Sequence, residues 1–316
     1  MKTPASKFQV PGLHHVTAIA GDPQRNIDFY TRVLGLRLVK KTVNFDDPST
    51  YHLYYGDAVG SPGSILTFFP WTGLRRGRPG HGQVYATAFS VAADALDFWR
   101  NRLLTHHVAP TGPIERFGQQ VLAFSNPDGL RLEFAATSEP DRRRAHPHPE
   151  IATMHAIRGI YGVTLALREA WHTQKLLTEI MGYRVIRTDG SRTQLAPVAA
   201  EPGTYVDLLV DPSIAQGLPG TGTVHHLAFR TPTEETQTKA QAVLLELGYQ
   251  VSPVIERHYF RSIYYREPAG VLFEIATDSP GFAVDELVEA LGTSLKLPKA
   301  YEQRRAEIEA SLPPLK

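Results

Sequence analysis

Four times along its 316 residues the chain repeats one order of elements: a short strand, an amphipathic helix, then strands separated by Gly, Pro and Asp turns. A βαβββ unit of this kind leaves one sheet face uncovered, so units must pair to close a half-barrel or cup. The expected fold is therefore α+β: four βαβββ units forming two cup-shaped half-barrel modules, with a C-terminal helical tail. The boundaries expected are residues 8–138 for an N-terminal module of two units, 139–154 for a linker, 155–280 for a C-terminal module and 281–316 for the tail. Internal duplication is written into the closing strands. Asn126-Pro127-Asp128-Gly129-Leu130-Arg131-Leu132-Glu133 and Glu267-Pro268-Ala269-Gly270-Val271-Leu272-Phe273-Glu274 share one pattern, 141 residues apart.

Unit one opens at Gly12-Leu13-His14-His15-Val16-Thr17-Ala18-Ile19 and continues in a helix from about Gln24 to Leu34. Ile27, Phe29, Tyr30, Val33 and Leu34 give that helix its apolar stripe, and Gly35 gives it a stop. Strands are expected around Arg37 to Asn44, Thr50 to Tyr55 and Ser64 to Phe69. Unit two opens at Gln83, carries a helix from Ala93 to Leu104 and closes at Glu133. Unit three runs from Gly159 to Leu209, and unit four from Thr223 to Glu274. Glu139 to Glu150 reads as a polar, Pro-broken linker. In the tail, Val284, Leu287, Leu291, Ile308 and Leu312 are the apolar positions expected to dock on the body.

Regular strands alternate faces, so adjacent histidines cannot both point into one cup. Aligning the four opening strands puts His14, Tyr85, Tyr161 and His225 at one position, on a mostly large and apolar face that should pack on the helices. His15, Ala86, Gly162 and His226 share the next position, on a smaller and more polar face, which is the expected cup face. Aligning the closing strands by Gly63, Gly129, Gly203 and Gly270 places Thr67, Glu133, Asp207 and Glu274 at one further position. Units one and four then supply two imidazoles, a threonine and a carboxylate. Units two and three supply carboxylates without a nitrogen ligand. The simplest packing consistent with this pairs unit one with four and unit two with three. His15, His226 and Glu274 would make a two-His, one-carboxylate face on a divalent ion, open on its other side because Thr67 stands where a fourth ligand could have been.

Charge and composition narrow the partners. Lys plus Arg number 33 against 32 Asp plus Glu, so no global field points to nucleic acid or a membrane surface, and a small ligand is expected. Without cysteine there are no disulfides or thiolate ligands, so any iron or zinc must sit on His and carboxylate. Met1 to Val10 contains no apolar leader and no run approaches a membrane span, which makes a soluble, cytoplasmic protein the expectation. A homo-oligomer is compatible with the sequence. Other clusters carry less. His106-His107 falls in a turn before Pro110, His146 and His148 alternate with prolines in the linker, and Gly77-Arg78-Pro79-Gly80-His81-Gly82 lacks the Lys-Ser/Thr of a phosphate loop and reads as a mobile connection. No Gly-x-Ser-x-Gly elbow is present.

The chain resembles the vicinal oxygen chelate superfamily (glyoxalases and extradiol dioxygenases), and within it the ring-cleaving dioxygenases that act on hydroquinones. The resemblance covers nearly the whole chain. It is carried by Gly12 to Thr17, Asp28-Phe29-Tyr30 to Gly35, Val39-Lys40-Lys41-Thr42, Tyr51-His52-Leu53-Tyr54-Tyr55, Pro62-Gly63-Ser64, Val224-His225-His226, and Ser262-Ile263-Tyr264 through Glu274. It implies Fe(II) on His15, His226 and Glu274, with Mn(II) accepting the same ligands, and supporting roles for Thr17, His225, Arg257 and Tyr264. By the same resemblance an aromatic diol binds the metal through an acidified hydroxyl, O2 takes a neighbouring position, both oxygen atoms enter the product, and the ring opens. Tyr264 would then hydrogen-bond or protonate the reduced oxygen, and Arg257 would stabilise anionic charge. His225, assigned to the outer face, could take part only through a twist or bulge at the start of its strand. Phe68-Phe69-Pro70-Trp71 could wall the pocket or pack the core.

Two other functions use the same scaffold: a glyoxalase-type isomerase or thiol transferase on Ni, Zn or Mn, and a protein that sequesters an aromatic compound without turnover. Thr67 at the fourth position argues against the first. A complete ligand set in one cup argues against the second.

Overall fold

The computed structural model describes residues 7–139 and 141–316; the first six residues, and position 140 of the linker, lie outside the described residues. Unit one contributes β1 (Leu13–Ala20), β2 (Arg37–Asn44), β3 (Asp47–Gly56) and β4 (Ile65–Pro70). Unit two contributes β5 (Gln83–Ala92), β6 (Thr111–Arg116), β7 (Gln119–Ser125) and β8 (Arg131–Thr137). Unit three contributes β9 (Gly159–Ala166), β10 (Arg184–Asp189), β11 (Arg192–Ala196) and β12 (Tyr205–Leu209). Unit four contributes β13 (Val224–Thr231), β14 (Ile255–Glu256), β15 (Arg261–Arg266) and β16 (Leu272–Thr277). They form two eight-stranded sheets, ordered β14-β15-β16-β13-β1-β4-β3-β2 and β10-β11-β12-β9-β5-β8-β7-β6. Unit one thus pairs with unit four and unit two with unit three. Each sheet draws one unit from each half of the chain.

Local chemistry explains the helix of unit one. Asp22 caps it by accepting from the Arg25 amide (2.7 Å), Pro23 starts it, and Gly35 ends it at φ +68°. It is α-helical over Pro23–Asp28 and widens to a π turn at Phe29–Val33, where the Leu34 amide reaches back to the Phe29 carbonyl (3.1 Å). Unit three repeats this device at Trp171–Lys175 and Leu176–Ile180. In unit two the helix begins at Leu96, three residues later than the periodicity suggests, because residues 93–94 form a turn. Unit four has the longest helix, Glu234–Glu246, opened by a capping box between Thr233 and Thr236. The outer sheet faces, including Val16, Ala18, Leu227 and Phe229, join these helices in one continuous core.

The glycine-rich stretch from Gly77 to Gly82 is not the free connection expected from composition. Its backbone is laced to residues 215–221, with Gly77 N–H on the Thr221 carbonyl and Arg78 N–H on that of Leu218 (both 2.9 Å). A Cβ on Gly80 would fall 2.3 Å from the Ala215 carbonyl oxygen, so close backbone approach accounts for that glycine. The linker does resemble its expectation, having almost no regular structure. Arg143 in it donates to the carbonyls of Gly63 (2.7 Å), in the turn before β4, and Ile160 (2.8 Å), on β9 of the other sheet.

The tail is helical in short pieces, 3-10 turns at Phe282–Val284, Val288–Ala290 and Lys299–Arg304 followed by an α-helix at Arg305–Ser311. Leu291, Ile308 and Leu312 dock as expected, whereas Val284 and Leu287 are exposed. Part of its hold is ionic. Lys40, fully buried on β2, meets Asp285 (2.6 Å) and Glu286. Replacing Lys40 by alanine strands two carboxylates beside a dry wall, and is expected to lower unfolding stability by about 3 kcal/mol. A urea titration reads the loss, and adding Glu286→Gln should recover part of it.

Candidate metal centre

The two central strands of the first sheet meet antiparallel with two irregularities. Leu13 pairs with Phe229 but His15 with Ala228, and Thr17 pairs with His226 but Ala18 with Val224. His14 and His225 are therefore the extra residues of two β-bulges. The second sheet has bulges at the equivalent Tyr85 and Tyr161. This corrects the regular alternation assumed from the pleat. At a bulge two neighbours can turn to one side, and Phe260 packs against the rings of both His14 (5.0 Å) and His15 (5.2 Å). The His14 position does not face the helices. His225 likewise turns to the cup and stands at the mouth of its cavity beside Phe69 and Trp71.

At the floor of this cup His15 Nε2, His226 Nε2 and Glu274 Oε2 form a triangle. The edges are 3.3 Å between the imidazoles, 3.3 Å from His15 to the carboxylate and 2.9 Å from His226. All three residues are buried, and they are the one group of three or more metal-ligating side chains found to converge among the described residues. His106, His107, His146 and His148 belong to no such group. Burial alone would raise the Glu274 carboxyl, but the imidazoles of His15 and His226 overcome it and hold it well below the usual carboxylate range. Burial lowers His226 in turn, against the opposing pull of the Glu274 carboxylate.

The donor set fits a divalent ion. With metal–ligand bonds of about 2.1 Å, neighbouring corners of an octahedron lie about 3.0 Å apart, close to the observed edges. Each ligand is also held from behind. His15 Nδ1 is 2.9 Å from His14 Nδ1, and His226 Nδ1 is 2.8 Å from His225 Nδ1. In each pair one proton is shared, and placing it on the inner ring leaves that ring's Nε2 lone pair free for a metal while the outer ring accepts. Burial, with His15 beside it, lowers His14 to about 3, so the neutral ring has a lone pair with which it can accept. Ser262 donates to the other carboxylate oxygen of Glu274. Glu274 Oε2 faces only the two imidazole nitrogens, without a well-aligned hydrogen bond to either, leaving a buried anionic atom that a cation would satisfy.

A cavity of about 350 Å³ opens over the triangle. Its walls are aromatic: Phe69 stacks on Trp71 (5.3 Å, 29°), His52 packs at a tilt against Phe69 (4.3 Å) and Tyr54 (4.0 Å), and Phe260 closes one side. Of the run Phe68 to Trp71, Phe69 and Trp71 line the cavity while Phe68 packs in the core. Tyr264 stands edge-on to His226 (5.7 Å), and its hydroxyl accepts from Arg257 Nε (3.3 Å). Burial and the Glu274 carboxylate raise the Tyr264 phenol, so it stays protonated. Arg257 also pairs with Asp46 at the rim (3.1 Å). Thr17 is buried with its hydroxyl 3.4 Å from that of Thr67.

The second cup is filled instead of open. Arg116 binds Glu133 through both guanidinium nitrogens (2.6 and 2.9 Å), and Asp207 takes Arg192 (2.9 Å) and Gln194 (3.1 Å). Only about 20 Å³ remains there.

Residues that the sequence left without a role are His14, His52 and Ser262. The doubled histidines were the available sign of His14, since an extra residue in each strand turns a pair to one side. Ser262 and His52 carry no sign of their own, because their parts depend on which neighbour across the ladder they reach.

Paired βαβββ units with a two-His, one-carboxylate triangle in one cup define a metal-dependent class that includes both isomerases and oxygenases. The chain belongs to the Glyoxalase/Bleomycin resistance protein/Dioxygenase superfamily, whose model matches residues 12–134 and 151–275. It is 46% identical over 303 residues, 96% of each chain, to a Bacillus subtilis (strain 168) protein named "Putative ring-cleaving dioxygenase MhqO". It is 32% identical over 310 residues, 95% of each chain, to the chlorohydroquinone/hydroquinone 1,2-dioxygenase of Sphingobium indicum. A crystal structure of a "putative dioxygenase" from Bacillus subtilis superposes with a TM-score of 0.93 at 45% identity, covering 98% of both chains. Among the described residues no helix is long and apolar enough to cross a membrane.

Proposed function

We propose that this protein is an Fe(II)-dependent ring-cleaving dioxygenase that inserts both atoms of O2 into hydroquinone-like aromatic diols. The observation that carries the reading is the open triangle of His15, His226 and Glu274 at the floor of an aromatic-walled cavity of about 350 Å³. The names of the relatives, ring-cleaving and hydroquinone dioxygenases, support the reaction class. Bound iron would supply Lewis acidity toward a phenolic hydroxyl and a path for electrons from the substrate to O2.

The chain's own residues do the rest. His14 and His225 orient the ligand rings through their Nδ1 contacts, and Ser262 fixes the carboxylate. Phe69 and Trp71 offer a flat wall against which an aromatic ring can lie. Arg257 donates to Tyr264 Oη, so the phenol's own hydrogen is left for another acceptor, and we assign it to reduced oxygen. Arg257 places positive charge where anion develops. Thr17 lies beside His15 on the same strand and contributes a hydroxyl to the cup.

Anaerobic loading with Fe(II), followed by oxygen uptake with substituted hydroquinones and with catechols, tests the assignment. Consumption of one O2 per hydroquinone with loss of the aromatic ring is expected. No uptake with any diol would sink it. Tyr264→Phe should keep its metal while kcat falls about 10²- to 10⁴-fold, the usual weight of a lost general acid. Metal content and oxygen uptake on one preparation check this.

A further inference from the structure

The internal symmetry of the first sheet sets two groups of three residues against each other. On β15 and β16, Tyr264 pairs with Glu274 and Ser262 lies two residues before Tyr264. On β3 and β4, Tyr54 pairs with Thr67 and His52 lies two residues before Tyr54. The parallel partners correspond as well, Ala228 beside Glu274 and Thr17 beside Thr67. In unit four a short residue, Ser262, supports a long one, Glu274. In unit one the sizes are exchanged, and His52 reaches to Thr67 with its Nε2 2.6 Å from Oγ1.

The other ring nitrogen of His52 is also engaged, with Tyr54 Oη 2.9 Å from Nδ1. If Tyr54 donates to Nδ1, the Nε2 hydrogen goes to Thr67 and the ring offers no lone pair to a metal. The imidazole lines the same cavity as His15 and His226, packed at a tilt against Phe69 and Tyr54. Units two and three keep a carboxylate at this register position, as does unit four, and unit one alone has given it up.

We propose that His52 is a positioning residue that closes unit one's corner of the metal site. Locked between Thr67 and Tyr54, its ring fills the space that a carboxylate at position 67 would enter, and it thereby leaves that side of the ion to exogenous ligands. This rests on the metal reading of His15, His226 and Glu274. It adds that the three-ligand state is maintained by a specific side chain and is not merely the consequence of a missing carboxylate. Burial, reinforced by the nearby imidazoles of His15 and His226, pushes His52 well below its ordinary pKa and so keeps it an uncharged wall.

The full chain, loaded anaerobically with Mn(II) alone, provides the test, with affinity read by EPR titration and bound water by proton relaxation. Wild type and Thr67→Glu should bind one ion with affinities within about threefold, because His52 denies the new carboxylate its place. His52→Ser/Thr67→Glu, which copies Ser262 and Glu274 into unit one, should bind at least about tenfold tighter and with fewer exchangeable waters. If the buried charge prevents folding, His52→Ser/Thr67→His supplies a neutral donor with the same expected direction. Tightening by Thr67→Glu alone to the level of the double variant overturns the role of His52. Affinity and hydration unchanged in a folded double variant do so as well. Failure of the wild type itself to bind Mn(II), or undiminished binding by His15→Ala, would instead overturn the metal reading.

Discussion

Glu274→Ala is expected to lose more than about 100-fold in metal affinity, since removing even an outer partner of a ligand costs 10–100-fold, and to lose ring cleavage with it. The argument is electrostatic. Glu274 is the one anion of the triangle, and its carboxylate is completely buried. In the metal-free protein that charge is held by two imidazoles and by Ser262, which keep the carboxyl ionised despite its burial. Removing it should lower the metal-free thermal midpoint, because the fold favours the ionised carboxyl, and the rise in midpoint that metal gives the wild type should vanish. Glu274→Gln is the closer comparison, because it preserves shape and can keep the Ser262 contact. It should fail to bind metal almost as completely, showing that charge and not bulk is what the site requires. Calorimetry with and without Mn(II) reads both effects, and a Gln variant that retained wild-type affinity would remove Glu274 from the ligand set.

The architecture and the triangle were legible because both depend on repetition. Four units in one order predict paired cups, and register carried along the repeats brought His15, His226 and Glu274 together from positions up to 259 residues apart. What escaped depended on departures from regularity. Strict alternation sent His14 and His225 to the helix face, but an extra residue in each of β1 and β13 turns them into the cup. The parts played by Ser262 and His52 follow from side-chain length matched across a ladder, which composition does not encode. The tail's apolar stripe predicted burial at Val284 and Leu287, yet the 3-10 turns break the helical period, and the chain is anchored instead by the Lys40 ion pairs and by Leu291.

Glu133→Ala separates the two cups most sharply, because Glu133 occupies the register position of Glu274 and should do the opposite in every measurement. Its carboxylate is gripped at both oxygens by Arg116, and the two side chains are 10% and 16% exposed. Truncating it leaves a largely buried guanidinium without its partner, so stability should fall by about 3 kcal/mol. Metal stoichiometry and oxygen uptake below the melting transition should stay at wild-type values. Removing the cation as well, in Glu133→Ala/Arg116→Met, should restore much of the loss, since an apolar pair of similar volume replaces a desolvated ion pair at little cost. Chemical denaturation and metal titration on the same preparations decide the matter. Loss of metal from the folded Glu133→Ala variant would mean that the second cup takes part in the site. Retention of metal with reduced stability means that duplication left carboxylates at one register in both cups, Glu274 kept free for a cation and Glu133 neutralised by an arginine two strands away in its own sheet.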